Sequence, residues 1–165
     1  MKLRSDIRIN RKLYRQGTEI SWFRVYPFFL LHLLIFGVTG FVLAYSDQDI
    51  PLPVLYVHSG FAFVAYLLFY LKFFGRDAVL WMFMNGALGL LGIYTQIDWI
   101  LALFGKQWAD YPWQVHAVPM MYFVLYTFLM RQAILDLSHA RENPARTRSA
   151  GVVHILFSLL IYALL

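Results

Sequence analysis

The chain has 165 residues, of which 61% are hydrophobic and 14% are charged, and its net charge is +5. Soluble globular domains carry about 45–50% apolar and about 25% charged residues, so this composition excludes a water-soluble globule and favours a membrane protein. A basic soluble chain would suggest a nucleic-acid partner, but these charges flank long apolar runs and no nucleic acid is expected. Because the sequence contains no cysteine, disulfides, thiolate metal sites and cysteine nucleophiles are excluded.

Residues 1–26 form a basic N-terminal segment with seven Lys or Arg residues. A loose apolar stripe runs through it, made of Leu3, Ile7, Ile9, Leu13 and Tyr14. This amphipathic pattern predicts either a short helix that lies on an anionic membrane surface or a mobile basic tail.

Residues 27–165 contain five apolar runs separated by short polar segments, which predicts an all-α, polytopic transmembrane helix bundle. Pro27, Pro53 and Pro112 stand at the entries to three of the runs, and proline suits the first position of a helix. The predicted spans cover about 27–45, 53–74, 78–95, 112–130 and 149–165.

Two of these runs have an alternative interpretation. After the third run, Gln96 and Asp98 interrupt a further apolar piece. Because a span needs roughly 20 residues, we place residues 97–105 in the membrane interface, and one long tilted span is the alternative. The last run is short: its residues 151–165 rise only ~22 Å, against a hydrocarbon core of ~30 Å. It is predicted as a fifth span, with an interfacial or re-entrant segment as the alternative.

The distribution of basic residues predicts the orientation. If all five runs span, thirteen of the fourteen Lys and Arg residues fall on one side and Lys106 alone falls on the other. Cytoplasmic loops carry the excess of Lys and Arg, so the N-terminus is predicted to be cytoplasmic in a bacterial inner membrane, or on the matrix side of a mitochondrial one.

Four histidines, His32, His58, His116 and His154, lie on four different predicted spans. Ionisable side chains are costly in hydrocarbon, so each one is a functional hypothesis by default. Counted from the helix entries, His58 and His116 have matched depths, and His32 and His154 form a second pair. Each pair is a candidate for the two axial ligands of a b-type haem, so the chain would bind one or two haems. His58 and His116 are the better-placed pair of metal ligands. Water, headgroups or neighbouring helices could instead satisfy all four imidazoles.

The placement of these histidines on spans 1, 2, 4 and 5 of a five-helix chain resembles the dihaem cytochrome b membrane anchors of succinate dehydrogenases and fumarate reductases. The resemblance implies that His32, His58, His116 and His154 are axial haem ligands and that the chain passes electrons between quinone and a redox partner. In that family the pairing joins spans 1 and 4 and spans 2 and 5, whereas the depths in this sequence pair span 1 with 5 and span 2 with 4.

Three functions remain open from the sequence. The first is an electron-transfer subunit with b-type haem and quinone, the second is a cofactor-free scaffold, anchor or assembly subunit, and the third is a membrane protein that handles lipids or small molecules. No ionisable residue is predicted at mid-membrane, which argues against an ion-coupled carrier. Two histidines at one depth are too few for zinc, and no catalytic constellation is present. The expected partners are the lipid bilayer and other membrane subunits.

Overall fold

The fold is that of a computed structural model, which describes residues 2–9, 11–47, 50–141 and 143–164. Some positions within these ranges have a described backbone only, and His154 is one of them. The described chain is mostly helical, as the composition predicted, with six α-helices and one short β-hairpin. The helices are α1 (Trp22–Ala44), α2 (Leu52–Phe74), α3 (Arg76–Leu88), α4 (Leu90–Leu103), α5 (Trp113–Leu137) and α6 (Pro144–Leu164).

Helix α5 is the centre of the bundle, because α1, α2, α3, α4 and α6 all pack against it. Tyr26 at the start of α1 contacts Asp136 at the end of α5, and Tyr45 after α1 contacts His116 at the start of α5. The two helices are therefore antiparallel. Helix α2 runs parallel to α5, since Tyr56 near its start bonds to Gln114 and Tyr70 near its end bonds to Leu125.

Glycines let α1 approach α5 closely. At Gly40, a β-carbon would lie 2.5 Å from Cε2 of Tyr122 on α5. At Gly37, one turn earlier, the nearest atom of Tyr122 would be 3.7 Å away, which is an ordinary contact. Small residues at such crossings are a common device for packing helices without a cofactor.

The N-terminal segment is a β-hairpin, which corrects the prediction of a surface helix or a mobile tail. Strand β1 (Ile7–Ile9) pairs antiparallel with β2 (Lys12–Tyr14). Leu3 is 1% exposed and exchanges backbone hydrogen bonds with residues 17 and 18. The alternation of Ile7 and Ile9 about Arg8 has a period of two, which suits a strand rather than a helix.

Two predicted helix starts lie earlier in the structure. Helix α1 begins at Trp22, so Pro27 lies inside it and not at its first position. Helix α6 begins at Pro144 because the side chain of Asn143 accepts hydrogen bonds from the backbone of Ala145 and Arg146. An asparagine cap followed by proline at the first helical position is a strong helix start, so α6 begins five residues before the predicted span.

The third apolar run also differs from its prediction. The helix is interrupted at Gly89, which lies between the end of α3 and the start of α4. Helix α4 then continues through Gln96 and Asp98 to Leu103. The two helices are bent by 64° at this break. Residues 97–103 are therefore a continuous part of α4, and their location in the membrane interface stays a prediction.

Three described helices are long and apolar enough to cross a membrane, over Val25–Ala44, Leu52–Phe74 and Trp113–Leu137. The bent pair α3 and α4 makes a fourth if it is counted as one span. Helix α6 is not among these candidates within the described residues, so the fifth span stays a prediction.

The two ends of the bundle differ in charge. The basic end brings together the hairpin, the start of α1 and the ends of α2 and α5, through contacts such as the hydrogen bond from Ser5 to the Lys72 carbonyl. At the opposite end, Lys106 pairs with Asp47 at 2.7 Å and donates to the Tyr45 carbonyl. Hydrogen bonding to Asp47 raises the pKa of Lys106, so this cation stays charged.

Candidate functional site

The predicted histidines lie in different environments. His116 is buried, His58 is half-buried and His32 is exposed. The side chain of His154 lies outside the described part of the chain. Within the described part of the chain no imidazole contacts another, so His32, His58 and His116 each have a separate environment.

His116 is the most enclosed of them, with 2% of its surface exposed. Its Nδ1 lies 2.8 Å from the hydroxyl of Tyr45, and its ring stacks on Trp108 with centroids 3.4 Å apart and planes 13° apart. Its Nε2 is buried and has no hydrogen-bond partner among the described residues, and the same holds for Oε1 of nearby Gln114. The Tyr45 contact fixes the orientation of the imidazole, as the second-shell partner of a metal ligand would.

His58 lies between α1, α2 and α5. Its Nδ1 is 3.4 Å from the hydroxyl of Tyr122, and its ring is 5.7 Å from that of Phe36. Tyr122 is the residue whose ring fills the space over Gly40 and Gly37. The position of His58 is thus tied to the close crossing of α1 and α5.

His32 lies on the outer face of α1, which we define by Leu31, His32, Ile35, Val38, Thr39 and Val42, all of them exposed. Its Nδ1 is 2.8 Å from the Phe28 carbonyl of the same helix, so Nδ1–H is the donor of that bond. The described part of the chain provides no partner for its Nε2. His32 is seven residues beyond Val25, where the candidate span begins, which places it about 10 Å along the helix axis.

A haem between α2 and α5 would need Nε2 of His58 and Nε2 of His116 to reach one iron. Nε2 of His116 is enclosed by protein atoms, and the two imidazoles contact different aromatic rings. His58 and His116 line neither the cleft of about 410 Å³ at the basic end nor the cleft of about 480 Å³ at the opposite end of the bundle. In this arrangement His58 and His116 do not fit a haem. Haem ligation by these two residues stays a prediction, and it would require a movement that exposes Nε2 of His116.

A second polar cluster, at the basic end, was not expected from the sequence. The carboxylate of Asp136 accepts hydrogen bonds from the Tyr26 hydroxyl and from Arg141, and Nη2 of Arg141 also donates to Gln132 at 2.8 Å. The guanidinium lies 5.6 Å from the ring centre of Phe74. Burial lowers the pKa of Arg141, but Asp136 and Tyr26 raise it overall, so the cation stays charged.

One signal in the sequence could have indicated this cluster. Asp136 is the only carboxylate between Tyr111 and Arg141. A lone acid near the end of a long apolar helix is costly without a partner, and Arg141 follows it after one turn of loop. Its partner Tyr26 is 110 residues away, and only the antiparallel packing of α1 on α5 brings the two together.

Compared with models of protein families, with curated proteins and with solved structures, the chain matches none of them. Its function is therefore argued from its own geometry. The observations that bear on it are a bundle of apolar helices, an enclosed His116, and an exposed His32 in the apolar stretch of α1.

Proposed function

We propose that the chain is an integral membrane subunit of a larger assembly, in which a helix of a different membrane chain covers the outer face of α1. The single observation that carries the proposal is the exposure of His32. Among the three described helices that could each span a membrane, the apolar stretch of α1 is the least buried, at 17% against 28% for α2 and 50% for α5, so α1 has the most surface of the three left for a partner.

An uncovered His32 is expensive in a bilayer. Ionisable residues within membrane spans almost always face the interior of a bundle or another polar group, and Nε2 of His32 has neither in the described structure. Thr39 lies two turns further along the same face, and its hydroxyl donates a hydrogen bond to the Ile35 carbonyl. A partner helix with a hydrogen-bond donor opposite His32 would remove the cost of this imidazole, whereas lipid tails would not.

Of the three functions that the sequence left open, we propose the second, a cofactor-free scaffold, anchor or assembly subunit. Two observations support it: α1 and α5 pack directly on each other where Gly40 meets Tyr122, and the enclosed Nε2 of His116 has no open side for a metal ion. A haem-bearing electron-transfer subunit is the rival proposal, and it draws support from the oriented imidazole of His116.

Replacing His32 by leucine tests the partner. Interhelical hydrogen bonds in membranes contribute about 1 kcal/mol, so we expect the partner to dissociate about fivefold more readily from His32→Leu than from the wild type. The measurement is the amount of partner per chain after purification from native membranes in mild detergent. Mass spectrometry identifies the partner. The same ratio is then measured in a reverse purification, in which the tag is on the partner.

The matched control is Val57→Leu on α2, which changes an apolar side chain that is 73% exposed and cannot form a hydrogen bond. It should retain the partner at the wild-type ratio. A wild-type chain that purifies without any partner in fixed ratio, or a His32→Leu chain that keeps its partner fully, would contradict the proposal.

The spectrum of the purified protein separates the two proposals. Without haem, the reduced-minus-oxidised difference spectrum should be flat in the region of the b-type α-band. An α-band in the wild type that disappears in His116→Ala and His58→Ala would refute the cofactor-free proposal and restore the haem hypothesis. Gln114→Ala serves as the control, because it removes a half-buried polar side chain two residues before His116 without removing an imidazole.

A further inference from the structure

A cleft of about 410 Å³ opens at the basic end of the bundle, between the N-terminal segment and the ends of α2 and α5. Its charged lining comes from Lys2, Arg4 and Glu19 on one side and from Asp136 and Arg141 on the other. Trp22, at the start of α1, lines it as well. This is the end of the bundle at which most basic residues collect.

The charges of the cleft do not cancel. Asp136 is paired with Arg141, and Glu19 lies 3.9 Å from the ammonium group of Lys2. Arg4 has no acidic partner within the described residues. The cleft therefore contains one uncompensated guanidinium next to two cations that are already paired.

The backbone around Arg4 is held in place from both sides. Leu3 is buried and receives a hydrogen bond from Gly17, and the hydroxyl of Ser5 donates to the Lys72 carbonyl at the end of α2. The stem of Arg4 packs beside Gly75, where a β-carbon would lie 3.6 Å from it. A guanidinium on a fixed stem loses little freedom when it binds an oxyanion, and its planar fork matches a phosphate.

The rest of the lining is apolar and aromatic. Phe73 and Phe74 at the end of α2 and Leu135 near the end of α5 lie beside the charged groups. Trp22 stands just before the apolar stretch of α1, which is where tryptophan meets the headgroup region of a bilayer. Phe73, Phe74 and Leu135 are each only 6–8% exposed, so they form the apolar wall of the cleft, and Trp22 marks the level of the lipid headgroups.

We propose that this cleft binds the phosphate of an anionic phospholipid, with Arg4 as the principal contact. The proposal rests on the membrane location given under the proposed function, but it does not depend on a partner subunit. Arg141 is not the principal phosphate contact, because its Nε and Nη2 already donate hydrogen bonds to Asp136 and Gln132.

The test uses the full chain in nanodiscs of phosphatidylcholine to which phosphatidylglycerol is added. Bound phosphatidylglycerol is counted by native mass spectrometry after release from the discs. A basic residue near an anionic lipid surface contributes about fivefold in affinity, so Arg4→Gln should retain about fivefold less phosphatidylglycerol than the wild type. Arg4→Lys, which keeps the charge without the fork, should lose less.

Arg8→Gln is the matched control, because it removes the same charge from the same N-terminal segment at an exposed position outside the cleft. It should lose less phosphatidylglycerol than Arg4→Gln does, because Arg8 contributes only through the diffuse attraction of the surface. Equal losses of phosphatidylglycerol in Arg4→Gln and Arg8→Gln would show diffuse attraction to the surface and would overturn the proposal. Unchanged phosphatidylglycerol binding in Arg4→Gln would overturn it as well.

Displacement of the lipid by inorganic phosphate would assign the cleft to a soluble phosphate and overturn its assignment to a lipid. A wild-type chain that purifies without a partner but still binds phosphatidylglycerol through Arg4 would contradict the proposed function and leave this proposal standing, so the two proposals fail separately.

Discussion

Replacing Asp136 by alanine is expected to lower the free energy of unfolding by about 3 kcal/mol, because it leaves the guanidinium of Arg141 without its counter-ion. The side chain of Asp136 is only 7% exposed and that of Arg141 is 29% exposed, so water replaces the lost carboxylate incompletely. The Tyr26 hydroxyl loses its acceptor in the same variant. The measurement is thermal or denaturant unfolding of the purified chain in one detergent.

Two further variants separate the ion pair from other causes. Asp77→Ala removes an exposed carboxylate from the first turn of α3 at the same end, and it should cost no more than about 1 kcal/mol. The double variant Asp136→Ala with Arg141→Met removes both charges and should recover a large part of the loss, because no buried charge is left unpaired. If Asp136→Ala were as stable as Asp77→Ala, the cluster at the basic end would have no role in stability.

Adding one methyl group at Gly40 is the second substitution with a large expected effect. The new β-carbon would lie 2.5 Å from Cε2 of Tyr122, and that ring is held between α1 and the imidazole of His58. Overpacking of this kind costs about 1–3 kcal/mol, and here either the ring or the α1–α5 crossing has to move. We therefore expect Gly40→Ala to unfold at a lower temperature than the wild type.

The chain offers two matched controls for this substitution. Gly60→Ala in α2 meets no atom within 4 Å and should be neutral or slightly stabilising, since alanine favours a helix more than glycine does. Gly37→Ala, one turn before Gly40, meets Tyr122 only at 3.7 Å and should be tolerated. A Gly40→Ala variant as stable as these two would show that α1 and α5 do not cross as described.

The sequence predicted the parts of the fold that depend on local chemistry. Pro53 and Pro112 marked helix starts correctly, because proline restricts the backbone wherever it occurs. The clustering of Lys and Arg indicated which helix ends lie together. Pro27 was misplaced because Trp22 and its neighbours are apolar enough to extend α1 by a turn before it.

The parts that could not be predicted depend on contacts between distant residues. The hairpin at Ile7–Tyr14 was missed because basic residues hid its period-two pattern, and the fixing of Leu3 depends on residues further along the chain. The depths of His58 and His116 suggested a shared ligand, but depth carries no information on rotation about the helix axis. Rotation placed Tyr122 beside one imidazole and Tyr45 and Trp108 beside the other.

The central claim is that the outer face of α1 meets a partner chain, and photocrosslinking tests it most directly. A photoreactive side chain is introduced at Ile35, one turn after His32 and 55% exposed, and in a second variant at Val57 on α2. In native membranes we expect Ile35 to give one discrete crosslinked product with a single membrane protein, and Val57 to give none. Absence of any product from Ile35, or the same products from both positions, would contradict the claim and leave α1 facing lipid.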